Sequence, residues 1–239
     1  MARPPAQPIR LAVLVSGSGT TLQNLIDEIS AGRLNATISI VIASRAGLVG
    51  SERAAKAGIP NVVVSRKDSA NVAEFSHEIF RHVDAANVDL VCLAGWLCLL
   101  DLPKRYAHKA MNIHPALLPS FGGKGMYGAK VHEAVINHGC KVSGCTVHFL
   151  DNAYDTGPII VQRTCPVLDD DTAAALAHRV FEEEKIAYPE AIRLFQQGRL
   201  RVEGRRVRVM PPVTSAGTPG EGRGEGEVAA ERGRRPDQE

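Results

Sequence analysis

The apolar run Ile9-Arg10-Leu11-Ala12-Val13-Leu14-Val15 passes without a break into Ser16-Gly17-Ser18-Gly19-Thr20-Thr21, and Leu22, Leu25 and Ile26 follow at helical spacing. A short Val- and Leu-rich run of this kind fits a strand buried in a parallel sheet. Parallel neighbours need a crossover between them, and the same rhythm recurs along the chain. Strand-like runs at 38–43, 61–64 and 90–93 alternate with helical patterns at 51–57 and 73–86, the second carrying Phe75, Ile79, Phe80 and Val83. The alternation predicts an α/β fold with a doubly wound, mainly parallel sheet. Residues 99–106 read as a short helical connection, 110–113 as a strand, 131–137 as a helix, and 145–150 and 159–165 as strands. The last two are joined by too few residues for a helical crossover, which predicts an antiparallel edge portion. Asp171-Thr172 opens the last long helix, with Leu176, Val180 and Ile186 on its inner face.

The first strand–turn–helix unit also carries chemistry. Glycines at a helix start leave backbone N–H groups and the positive end of the helix dipole facing one point, where a phosphate can sit. No Lys-Ser/Thr pair follows the glycines, so the turn is not a P-loop, and it lacks the third glycine of the dinucleotide fingerprint. A small phosphate monoester is the better match. A tight turn that needs glycine for backbone reasons alone is the plainer alternative.

The second informative stretch is Met111-Asn112-Ile113-His114-Pro115-Ala116-Leu117-Leu118-Pro119. Asn112 and His114 are two apart, so an extended backbone puts both side chains on one face. Pro115 biases His114 away from helix and ends the strand. An amide beside an imidazole at a strand end can clamp an oxyanion in acyl transfer, or merely cap the strand. The glycine-rich Ser120-Phe121-Gly122-Gly123-Lys124-Gly125 follows, a loop type that can cover a site. Asp151-Asn152-Ala153-Tyr154-Asp155-Thr156-Gly157-Pro158 is turn-rich and holds two carboxylates. Glu182-Glu183-Glu184 reads most simply as a solvated acidic run.

Composition narrows the classes. A net charge of +2 in 239 residues argues against a basic nucleic-acid surface. No apolar run reaches the roughly 18 residues of a membrane-spanning helix. Residues 1–8 read as a flexible leader without the apolar core of a signal peptide, which makes a cytoplasmic location the default. Cys92, Cys98, Cys140, Cys145 and Cys165 are odd in number and form no CxxC pair, so they read as reduced thiols. Residues 213–239 are Gly-, Pro-, Glu- and Arg-rich and read as a disordered tail.

Four motifs now stand in order: Val15-Ser16-Gly17-Ser18-Gly19-Thr20; Leu93-Ala94-Gly95-Trp96; Asn112-Ile113-His114-Pro115-Ala116-Leu117-Leu118-Pro119; and Val147-His148-Phe149 through Asp155-Thr156-Gly157-Pro158-Ile159-Ile160. Together they resemble the phosphoribosylglycinamide formyltransferase family, folate-dependent enzymes of purine synthesis. The resemblance covers residues 9–203 and implies a Rossmann-like formyltransferase domain over 9–212. It implies formyl transfer from the co-substrate 10-formyltetrahydrofolate to the amine of 5-phosphoribosylglycinamide, with no metal. It implies small-molecule substrates, no nucleic-acid or membrane partner, and a monomer or homodimer.

The resemblance assigns Asn112, His114 and Asp155 to catalysis. Asn112 and His114 would donate to the oxyanion, and Asp155 would favour the charged imidazole, raising its pKa. Gly19, Thr20 and Thr21 would hold the phosphate, and Glu184 the ribose and glycinamide end. Trp96, Leu97, Cys98, Leu99 and Leu100, with Asn112, Leu150, Asp151, Asn152, Ala153, Tyr154 and Asp155, would line the folate pocket. His148 is a partner near the catalytic set. Two arginines of the family, near the positions of Val72 and Cys98, help bind the folate glutamate tail and are absent here. Arg66, Lys67 and Lys124 are the candidates to replace them. The rival activities are a formyltetrahydrofolate hydrolase, a methionyl-tRNA formyltransferase and a non-catalytic nucleotide-binding module. The first two would carry a further domain, before or after this one.

Overall fold

The computed structural model describes residues 7–212. The leader's residues 1–6 and the tail 213–239 lie outside the described residues. In chain order the elements are β1 (Ile9–Val15), α1 (Thr20–Ser30), β2 (Ala36–Ala43), α2 (Val49–Lys56), β3 (Asn61–Val63), α3 (Val72–Ala85), β4 (Leu90–Leu93) and β5 (Ala110–His114). Then come α4 (Ala129–Asn137), β6 (Val142–Phe149), β7 (Ile159–Pro166), α5 (Ala173–Gln196), β8 (Leu200–Glu203) and β9 (Arg206–Val209). The strands form one nine-stranded sheet in the order β3-β2-β1-β4-β5-β6-β7-β9-β8.

β1 to β5 are parallel, as the alternating rhythm predicts, while β6 runs antiparallel to β5 and to β7. Two core clusters sort the side chains by strand parity. Leu11, Val13 and Val15 of β1 pack with Leu22 and Leu25 of α1, Val135 of α4 and Val180 and Tyr188 of α5 on one face. Ala12 and Leu14 pack with Phe75, Ile79, Phe80 and Val83 of α3 on the other. The sheet is therefore covered on both sides, which is what lets its parallel strands be apolar throughout.

The sequence expectations fail at three places. Residues 99–106 hold only a 3-10 turn at Lys104–Tyr106 and no longer helix. Ile186 is 47% exposed, so it does not face the core. At 100° per residue it lies about 100° round the helix from the stripe of Leu176, Val180, Ala187 and Ala191. The β8–β9 hairpin, which extends the sheet beyond β7, was not expected.

β1 has β2 on one side and β4 on the other, so the crossover direction reverses between β1 and β4. That reversal opens a crevice at the carboxyl ends of the strands. The turn after β1, the Gly95-Trp96 corner after β4, and the end of β5 all open into it.

Candidate active site

The turn after β1 is shaped by close packing. Gly19 precedes α1 at φ 70°, and a Cβ there would stand 2.7 Å from Gly50 Cα in α2. Arg53 of α2 donates from Nε to Ser18 O (2.9 Å) and from Nη1 to Gln23 Oε1 (3.0 Å). The start of α1 is thus clamped with a guanidinium beside it and Thr20 and Thr21 at its open end.

β5 delivers the amide and the imidazole. Asn112 stands opposite His148, and His114 opposite Thr146, in the antiparallel register with β6. Alternation puts these four side chains on the same face. His148 Nδ1 lies 2.8 Å from Phe149 O, which makes it the protonated nitrogen and leaves Nε2 as an acceptor. Asn112 Nδ2 is 3.3 Å from that Nε2 and donates to Asp155 Oδ1, also at 3.3 Å.

Asp155 reaches this cluster from the loop between β6 and β7. Its φ of 56° is left-handed, a conformation Asp tolerates better than most residues. The loop comes so close to β6 that a Cβ on Gly157 would stand 1.8 Å from Phe149 O. Asp155 Oδ2 accepts from Gly123 N (2.9 Å), which ties the glycine-rich loop to the site, and lies 3.6 Å from His114 Nδ1. Its Oδ1 lies 3.6 Å from His148 Nε2. His114 Nε2 donates to Phe121 O at 2.8 Å, so Nδ1 is its free nitrogen.

The charge state of His114 corrects the sequence expectation. Burial pushes its pKa below the ordinary value and outweighs Asp155 and the Phe121 carbonyl, which both raise it. The ring is neutral at rest because only 5% of its side chain meets solvent. For Asp155, burial opposes ionisation most, yet the charge that His148 and His114 bring when protonated, with the Gly123 N–H, holds its pKa below the usual carboxylate value. An ionised carboxylate beside a neutral imidazole has room for one proton.

Two cavities meet at this cluster. The larger, of about 640 Å³, runs from Thr20 and Thr21 past Leu97, Asn112 and His114 to Glu184. The smaller, of about 50 Å³, is lined by Cys98, Leu99, Leu100, His148, Leu150, Asp151 and Ala153. Trp96, Asn112, Tyr154 and Asp155 line both. Burial pushes the Glu184 carboxyl up to about 7, so this residue is no solvated acid. Two expected residues stand apart: Asn152 lines neither cavity and accepts from Leu102 N (2.9 Å), and Gly19 packs on Gly50.

The sequence signature described as formyl transferase matches residues 9–192. The chain belongs to the formyl transferase family. A trifunctional purine biosynthetic protein adenosine-3 of Drosophila pseudoobscura pseudoobscura is 43% identical over 80% of this chain, which spans only 14% of that protein. The chloroplastic phosphoribosylglycinamide formyltransferase of Vigna unguiculata is 37% identical over 80% of this chain and 62% of its own length. Among solved structures, glycinamide ribonucleotide transformylase 1 of Symbiobacterium toebii has a TM-score of 0.80 at 42% identity, covering 86% of this chain and 95% of that one. A formyltetrahydrofolate deformylase of Pseudomonas syringae has a TM-score of 0.76 at 26% identity, covering 86% and 67%.

The structure adds residues around the cluster that the motifs do not contain. Arg53 behind the first turn, and His132 and Phe181 in the larger cavity, were not singled out. Helical spacing shows which residues are buried but not which buried residue borders a void. Of the candidate cations for the folate tail, Lys124 lines the larger cavity. Arg66 lies beside the smaller one, where its charge lowers the pKa of the Cys98 thiol against the larger effect of burial. No helix among the described residues is long and apolar enough to cross a membrane.

Proposed function

We propose that this formyltransferase moves the formyl group of 10-formyltetrahydrofolate to the amine of 5-phosphoribosylglycinamide. The products are formylglycinamide ribonucleotide and tetrahydrofolate, in the purine branch that leads to IMP. The observation that carries the reading is the meeting of two cavities at Asn112 and Asp155, the larger of them open to the start of α1. A phosphate at the α1 N–H groups leaves the rest of the ribonucleotide extending toward Glu184 and Asp155. The pterin approaches from the side of the smaller cavity, where Leu99, Leu100 and Leu150 stand beside the polar His148 and Asp151, and the formyl carbon lies where the two cavities meet.

The chemistry follows from the charges. The amine nitrogen attacks the formyl carbon, the C–N bond forms, and the carbonyl oxygen becomes an oxyanion. Asn112 Nδ2 donates to that oxygen, exchanging one of its long 3.3 Å bonds for a stronger one to an anion. The proton leaving the amine enters the Asp155–His114 pair, whose ionised carboxylate and neutral ring hold one vacancy between them. Once charged, His114 also stabilises the oxyanion. The same proton then passes to the folate nitrogen as its bond to the formyl carbon breaks. His148 holds Asn112 in place. General acid–base help of this kind is worth about 10²–10⁴ in rate, and one oxyanion donor about 10²–10³.

The reading carries further assignments of the same standing. Residues 9–212 act as the formyltransferase domain, the chain works in the cytoplasm, and Arg66 meets the folate glutamate tail. The structural likeness to a deformylase supports a second reading, in which water replaces the amine. The test is formyl transfer from 10-formyltetrahydrofolate with and without 5-phosphoribosylglycinamide. Product that depends on the ribonucleotide is expected. Formate released at the same rate without it establishes the hydrolase instead.

A further inference from the structure

His132, on the first turn of α4, is 5% exposed. It lines the larger cavity and not the smaller. Its Nδ1 is fully buried and has no hydrogen-bond partner among the described residues. The other ring nitrogen, Nε2, has no partner among them either and is the one open to the cavity. The two other buried histidines differ, since His114 is tied to the Phe121 carbonyl and His148 to that of Phe149. A position that needed only packing would be better filled by Leu or Phe, because a buried polar atom without a partner costs stability.

The surroundings select one form of the ring. A buried N–H without an acceptor is rarer than a buried lone pair without a donor, so the hydrogen sits on Nε2 and points into the cavity. Burial, and then the nearby His114, lower the His132 pKa, which keeps the ring neutral. A neutral donor suits an uncharged oxygen and leaves the attacking amine free.

We propose that His132 is a binding residue for the amine-bearing substrate, its Nε2–H donating a hydrogen bond to an uncharged acceptor oxygen of 5-phosphoribosylglycinamide. The inference rests on the transfer reaction proposed above. The ribonucleotide, not the folate, is the partner because Thr20, Thr21 and Glu184 share the larger cavity with His132.

The test compares the full-length protein with His132→Phe, which keeps a flat ring, and His132→Gln, which keeps a donor at the same reach. Calorimetry measures 5-phosphoribosylglycinamide and a non-transferable folate analogue separately, and thermal melting follows stability. His132→Phe should bind the ribonucleotide about tenfold more weakly, the value of one hydrogen bond. It should bind the folate analogue unchanged and melt no lower than the parent, since it removes an orphaned nitrogen. His132→Gln should recover part of the ribonucleotide affinity. Unchanged ribonucleotide affinity in His132→Phe overturns the proposal alone. So does a joint fall in melting temperature and in affinity for both ligands, which marks a packing role. If the parent protein itself does not bind the ribonucleotide, the transfer reading falls and this proposal falls with it.

Discussion

Asp155 sits between two imidazoles, 3.6 Å from each, with one oxygen bonded to the Gly123 N–H. If its charge takes up the amine proton, Asp155→Asn should lower turnover by at least about 10²-fold. Ribonucleotide affinity should stay within a few fold, because the phosphate end is untouched. The His114 pKa, already lowered by burial, should fall further once the carboxylate that raises it is gone, and NMR titration of the imidazole reads this directly. The double change with His114→Ala should cost much less than the product of the single losses, since both residues serve one proton. Glu184 gives a separate test through pH. Its carboxyl titrates near 4.5 when unfolded and at about 7 when folded. Below the lower value both states hold the proton and the group contributes nothing. Between the two values only the unfolded state has released it, so stability falls as pH rises, and the full cost stands above pH 7. Glu184→Gln should therefore melt higher than the parent at pH 8 and equally near pH 4. Its ribonucleotide affinity should be weaker at both. Equal melting at pH 8 would mean that the carboxyl is not raised.

The loop between β6 and β7 and the helix α5 do the positioning at the next scale. The ladder between β6 and β7 shifts register at Val147/His148, beside the site, as bulges often do. Gly157 then brings the returning chain onto the Phe149 carbonyl, so that Asp155 reaches Asn112. Gly157→Ala should destabilise the protein by about 1–3 kcal/mol in urea unfolding, the usual cost of overpacking. It should lower turnover more than ribonucleotide affinity, because Asp155 moves. From the other side of the sheet, the buried Tyr188 Oη of α5 lies 2.9 Å from Leu93 O at the end of β4 and 3.0 Å from Met111 O near the start of β5. This hydroxyl fixes α5, and Glu184 one turn earlier, against the strands that carry the site. Tyr188→Phe should cost about 1–2 kcal/mol by the same measurement, the price of a buried carbonyl left without its donor.

For the whole molecule, the site is a seam where three strand ends, two loops and α5 converge, and a ligand that binds there holds the parts together. At a concentration 100 times its dissociation constant, the ribonucleotide should stabilise the protein by about 2.7 kcal/mol. That raises the melting temperature by about 5–10 °C. No shift would mean that the folded protein does not bind the ribonucleotide. The sheet's parallel half was legible in the sequence because strands buried on both faces must be apolar throughout, and helices between them must carry one apolar stripe. Asn112, His114 and Pro115 were legible as a strand end for the same local reason, and the ordered motifs tied them to Asp155. The alternating Leu200-Arg201-Val202-Glu203 and Arg206-Val207-Arg208-Val209 carry the period-two signal of the last hairpin in the sequence itself. Ile186 was misplaced because one apolar residue inside a helix does not say which face is covered. What local periodicity never contains is the balance of burial against charge. The sequence alone put a carboxylate near an imidazole and so led to a charged ring. Only the folded structure, by removing water from His114 more strongly than Asp155 compensates, decided that the ring rests neutral. It alone, too, left His132 facing a cavity with a nitrogen free, because voids arise between elements and not within them.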